Sequence, residues 1–78
     1  MTDRIRQTPK GTIGKNIKAL REAKGLRNID VVNALQARGL DIARGTYSKV
    51  ELGLNNPSVD LLNALTKILG CDHNAFFR

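Results

Sequence analysis

The sequence predicts an all-α protein, a compact five-helix bundle. Three observations predict it. Apolar residues recur at the three- and four-residue spacing of helix faces, glycines and a proline divide the chain into short helical lengths, and aromatics are only 4% of the residues with no Trp. A core restricted to Leu, Ile, Val and Ala favours helix packing over a sandwich. At 78 residues the chain makes one domain at most, near the lower end of what folds without metals or disulfides.

Residues 1–11 contain Pro9 and Gly11 and few apolar side chains, and are expected to form a flexible basic N-terminal arm ahead of a folded domain over 12–78. Ile13, Ile17 and Leu20 then fall at i, i+4 and i+7, with Thr12 as N-cap and Gly25 as the stop. A second helix is expected from about Asn28 to Arg38, with Val31, Val32 and Leu35 inward and Gly39 at its end. Leu40–Ile42 is a connector. The third helix covers roughly Arg44 to Leu52 and stops at Gly53; Ala43 is a poor N-cap, so Asp41 is expected to cap it instead. Asn55-Asn56-Pro57 reads as a turn, because proline drives its predecessor out of the helical region. Ser58 caps a fourth helix with Asp60 in its first turn, where the helix dipole favours negative charge. Leu61, Leu62, Leu65, Ile68 and Leu69 form its apolar face and Gly70 closes it. Asp72 can cap a last short helix carrying Phe76 and Phe77.

The net charge is +6 and the pI near 10.1, which points to a polyanionic partner. Its distribution sharpens the point. Arg4, Arg6, Lys10, Lys15, Lys18, Arg21, Lys24 and Arg27 face only Asp3 and Glu22 in the first 27 residues, whereas acids and bases balance in the remainder. The excess therefore sits on the arm and the first helix, where Arg6, Lys10 and Lys15 are candidate phosphate contacts.

Other chemistry is missing. A single Cys cannot form an internal disulfide, and with one His the pair Cys71 and His73 cannot complete a structural zinc site within one subunit. They read as a buried thiol and a surface imidazole. There is no phosphate-cradling glycine motif and no pair of carboxylates at helical spacing, so neither an enzyme nor a cofactor is expected. No apolar run approaches the ~20 residues of a membrane span, and the N-terminus is too polar for a signal peptide. These features fit a reducing cytoplasm.

The second and third predicted helices with their connector form a candidate helix-turn-helix, whose second helix enters the DNA major groove. The matching residues are Ile13-Gly14, Ile17 with Leu20-Arg21, Lys24-Gly25-Leu26, Tyr47-Ser48-Lys49-Val50-Glu51 with Gly53, Asn56-Pro57-Ser58, and Leu69-Gly70-Cys71-Asp72 with Phe76. On these residues the stretch from Ile13 to Phe77 resembles the Cro/repressor-type, lambda-repressor-like helix-turn-helix domain. The resemblance implies sequence-specific binding of double-stranded DNA and regulation of transcription, with repression by operator occupancy as the expected mode. It makes the third helix the recognition helix, with Arg44, Gly45 and Lys49 facing base edges and Thr46 and Ser48 nearby. Arg44 suits a bidentate contact with guanine. Asn55 and Asn56 are placed at phosphates, and Arg21 is implied to pair with Glu51 as a structural salt bridge. Tyr47 falls where an aliphatic core residue is usual, so its ring is expected in the core. Asn28 fits two roles, a phosphate contact or the N-cap of the second helix. A homodimer is implied, with Phe76 and Phe77 as its possible interface; core packing is the competing role for at least one of them.

Three features depart from the pattern. Gly45 offers no side chain at a base-reading position, Leu52 and Leu54 stand where relatives carry cations, and the connector Arg38-Gly39-Leu40-Asp41-Ile42 is longer than the shortest family turn. Leu52 and Leu54 either pack under the following loop or form an exposed edge for a protein partner. Two alternatives follow: a protein-interaction module of the same fold that has lost DNA binding, or the DNA-binding antitoxin of a toxin–antitoxin pair.

Overall fold

A computed structural model describes residues 12–78. The expected arm, with Arg6 and Lys10, lies outside the described residues. Four α-helices follow in order: α1 (Thr12–Ala23), α2 (Asn28–Ala37), α3 (Arg44–Glu51) and α4 (Val59–Leu69). The fifth element is a 3-10 helix, His73–Phe77, and not a fifth α-helix. Its five residues suffice for the tighter i→i+3 pattern only, and Asp72 starts it by accepting the Ala75 N–H on Oδ1 at 3.2 Å.

Each α-helix begins and ends for local reasons. The Arg27 backbone is extended ahead of α2, and its N–H donates to Asp30 Oδ2 at 2.8 Å. Arg27 therefore holds the N-cap position, and Asn28 is the first helical residue and not the cap. Ser58 caps α4 by accepting from the Leu61 N–H at 3.0 Å. α3 starts differently from expectation. Its N-cap position is Ala43, which makes no side-chain bond, and Asp41 is exposed two residues upstream. A capping side chain must sit directly before the first helical residue, and Asp41 stands two residues too early in the connector to do so. At the other ends, Gly39 (φ 89) and Gly53 (φ 80) turn the chain left-handed. Those turns let the Leu40 N–H reach the Leu35 carbonyl at 3.0 Å and the Leu54 N–H reach Lys49 at 2.8 Å.

The core sits where all five elements converge. Ile13 and Ile17 of α1, Val31, Val32 and Leu35 of α2, Tyr47 and Val50 of α3, Leu61, Leu62, Leu65 and Leu69 of α4, and Phe76 are buried. Leu20, Leu40, Ile42 and Ile68 pack at its margin. Phe76 has no exposed surface, so it fills the core and has nothing to give a dimer interface. Phe77 remains 54% exposed. Asn16 ties the last element to the first, donating from Nδ2 to the Phe76 carbonyl at 2.8 Å and the Arg78 carbonyl at 3.2 Å.

Candidate nucleic-acid interface

α3 is eight residues long and two-sided. Tyr47, Val50 and Glu51 are buried, while Arg44, Gly45, Thr46 and Lys49 are exposed and Ser48 is half-buried. The 3.6-residue repeat accounts for this division: 44, 45, 48 and 49 share one strip, with 47, 50 and 51 behind it. Four of the five residues expected at base edges thus share one strip, while Thr46 is exposed beside the buried Val50 and lines a cavity with it and Leu61.

The buried side of α3 is anchored electrostatically. Arg21 grips Glu51 with two bonds, Nε to Oε2 at 2.7 Å and Nη2 to Oε1 at 3.0 Å, and spends Nη1 on the Leu26 carbonyl at 2.9 Å. Tyr47 donates its hydroxyl to the same Oε2 at 2.6 Å. A charge taken into the interior is tolerated only when paired and fully hydrogen-bonded, and this carboxylate has three donors. The Glu51 carboxylate holds the Arg21 pKa above its ordinary value despite partial burial. Burial first, and then the bond to Glu51, push the Tyr47 phenol far above its usual value. The ring was legible as core in the sequence. Its hydroxyl role was not, although the i, i+4 spacing of Tyr47 and Glu51 places both on one helix face.

α1 and α3 also meet backbone to backbone. A Cβ at Gly14 would overlap the Val50 carbonyl oxygen and stand 2.7 Å from that of Glu51. Only glycine allows this approach, which sets the spacing of α3 from α1. Lys15 follows on the same turn and is exposed.

α2 contributes Asn28, whose Nδ2 donates to Ser48 Oγ at 3.0 Å. The start of α2 is thereby tied to the outer strip of α3. Its Oδ1 is enclosed and accepts no hydrogen bond among the described residues. Asn55 is half-buried and Asn56 exposed in the turn after α3. Arg27 is bound to Asp30, Nη2 to Oδ1 at 3.0 Å, and the guanidinium holds that carboxyl below the usual carboxylate range. Arg44 and Lys49 have no ion pair among the described residues under 4.0 Å.

Leu52 and Leu54 do not pack beneath the loop. They are 68% and 70% exposed. Cys71 is half-buried, with its thiol pKa raised chiefly by burial, and His73 Nε2 lies 2.6 Å from Asn63 Oδ1. No group of three potential metal ligands occurs among the described residues, and none of their helices is long and apolar enough to cross a membrane.

A search of curated proteins finds no match. A family model described as Helix-turn-helix matches residues 17–76, from the middle of α1 through α3 to the 3-10 helix. The chain belongs to this Cro/repressor-type helix-turn-helix family of DNA-binding transcription regulators, whose members are regulatory modules and not enzymes.

Proposed function

We propose that the protein binds double-stranded DNA sequence-specifically, as a homodimer on two half-sites, and represses transcription by occupying its operator. The observation that carries this reading is the division of α3. Arg44, Thr46 and Lys49 project from a helix whose other side is fixed by Arg21, Glu51 and Tyr47. Preorganised side chains on a rigid element are what base reading requires. Arg44 and Lys49 read acceptor-bearing base edges, Thr46 and Ser48 contribute shorter contacts, and Gly45 lets the backbone come close. Phosphate contacts come from Asn28, Asn55, Asn56 and Lys15, with Arg6 and Lys10 on the arm.

Selection of duplexes from a random pool at near-physiological salt tests it. The expected result is a two-fold symmetric motif with half-sites about one helical turn, ~34 Å, apart. Salt-labile binding to any DNA without enrichment sinks the proposal. It would favour a protein-interaction module, for which the exposure of Leu52 and Leu54 is the supporting observation.

A further inference from the structure

A serine hydroxyl can meet a DNA base in two ways, because it carries one donor hydrogen and two acceptor lone pairs. Ser48 is held in only one of them. It lies half-buried on the outer strip of α3, and its Oγ accepts from Asn28 Nδ2 at 3.0 Å. One lone pair is thereby used on the protein side. The hydrogen cannot point at a donor, so it turns away from Asn28. No other hydrogen bond engages this hydroxyl among the described residues. The Asn28 side chain is fixed as well. It belongs to the first residue of α2, and its Oδ1 is enclosed by the protein. Turning the amide over would enclose two N–H donors in place of one oxygen, and enclosed N–H groups without partners are the rarer case. One Nδ2 hydrogen is left over, so a phosphate contact by the same amide stays compatible with this bond.

We infer that Asn28 sets the polarity of Ser48, making it a hydrogen-bond donor that reads an acceptor on a base edge and rejects cytosine. The inference rests on the DNA reading by α3 proposed above. Guanine, adenine and thymine each offer an acceptor in the major groove, whereas cytosine presents only its N4 amino donor. Against cytosine, Ser48 could use its second lone pair only by stranding its own hydrogen in a desolvated interface. A stranded donor of that kind lowers affinity about tenfold or more. Asn28 is thus a positioning residue, acting on the base through Ser48. Arg44 and Lys49 need no such partner, since their cationic groups are donors in any orientation.

Duplex selection with the full chain and its Ser48→Ala, Asn28→Ala and Asn28→Asp variants tests this. Ser48→Ala marks the position that Ser48 reads, as the one whose preference flattens. In the unaltered protein cytosine is expected to be depleted there about tenfold. Asn28→Ala frees the hydroxyl to serve either way, and the depletion should disappear. Aspartate has acceptors only, so Asn28→Asp draws the hydroxyl hydrogen inward. Preference should then move, at that position alone, to cytosine or adenine, which offer amino donors. A purely structural Asn28, or the loss of its phosphate contact, would lower affinity for all sequences alike and leave the preference unchanged. Circular dichroism and a thermal melt establish that each variant is folded; if Asn28→Asp does not fold, Asn28→Ala carries the test. Without DNA, the Asn28 side-chain amide resonance is expected to shift in Ser48→Ala. An unchanged resonance, cytosine selected by the unaltered protein, or one preference shared by all Asn28 variants overturns the inference while leaving DNA binding in place. No motif from the unaltered protein sinks the DNA reading itself, and the inference with it.

Discussion

Arg21, Glu51 and Tyr47 differ in kind from Arg44, although all four bear on one helix. Glu51 is 7% exposed and receives both Arg21 and the Tyr47 hydroxyl. Removing the carboxylate strands a mostly buried guanidinium and a buried phenol together. Glu51→Ala is therefore expected to cost about 3 kcal/mol or more of stability, and a thermal melt checks it. An unchanged melting temperature would show that solvent already screens the pair. Arg44 is exposed and has no ion pair among the described residues under 4.0 Å, so Arg44→Ala should leave the melt unaltered. On the proposed function it loses about 1–3 kcal/mol of specific DNA affinity and relaxes preference at one base position. Selection repeated with the variant reads both effects. The Arg21–Glu51 pair could be anticipated from resemblance because its two residue types are distinctive. The Tyr47 bond could not, since a hydroxyl on a core ring leaves the apolar pattern unchanged.

Two glycines separate what holds the helices from what they present. Gly14 sits where α1 and α3 touch through the Val50 and Glu51 carbonyls. Gly14→Ala must push the helices apart, at an expected cost of about 1–3 kcal/mol, and it moves α3 as it does so. Gly45 lies inside α3 with no neighbouring atom within 4 Å of a built Cβ. Gly45→Ala should stabilise the helix by about 0.5–1 kcal/mol and yet weaken DNA binding, because the new methyl faces the proposed base edges. Melting and affinity measured on the same sample test this opposition; a destabilised Gly45→Ala would contradict it. The four α-helices were legible because apolar spacing and glycine stops agree, and the structure shifts their ends by a residue or so. Less legible were the elements without periodicity. A five-residue segment is too short to separate an α-turn from a 3-10 helix. Similarly, Ala43 at the start of α3 breaks the capping rule that pointed to Asp41. The exposure of Leu52 and Leu54 depends on how the turn at Gly53 is held, which composition does not encode.

Protonation links the single tyrosine to the stability of the whole fold. An unfolded Tyr47 ionises near pH ~10, whereas the folded phenol keeps its proton well beyond that. A pKa raised on folding contributes stability below the unfolded value, and this contribution is lost as pH rises above it. The chain is therefore expected to lose stability progressively above pH ~10. Because it has one Tyr and no Trp, phenolate absorbance reports on this residue alone. The expected outcome is that absorbance rises together with the loss of helical circular dichroism. Smooth ionisation near pH 10 with the helices intact would contradict the buried hydrogen bond. At the acid end Asp30 behaves oppositely. Its pKa is depressed by Arg27, so its contribution is present above the ordinary carboxylate value and fades as pH falls through the folded one. That pair is exposed and sets only local order at the start of α2.

The Asn16 clamp gives the molecule a clock. Asn16 emerges early in synthesis, and its partner carbonyl at Phe76 comes 60 residues later. At about 5–20 residues per second that gap is roughly 3–12 s. During this interval α2 and α3 already exist as chain, but α1, which orients α3 through Arg21 and Gly14, still lacks its final anchor. A nascent chain that already holds α2 and α3 thus still lacks the bond that ties α1 to the 3-10 helix.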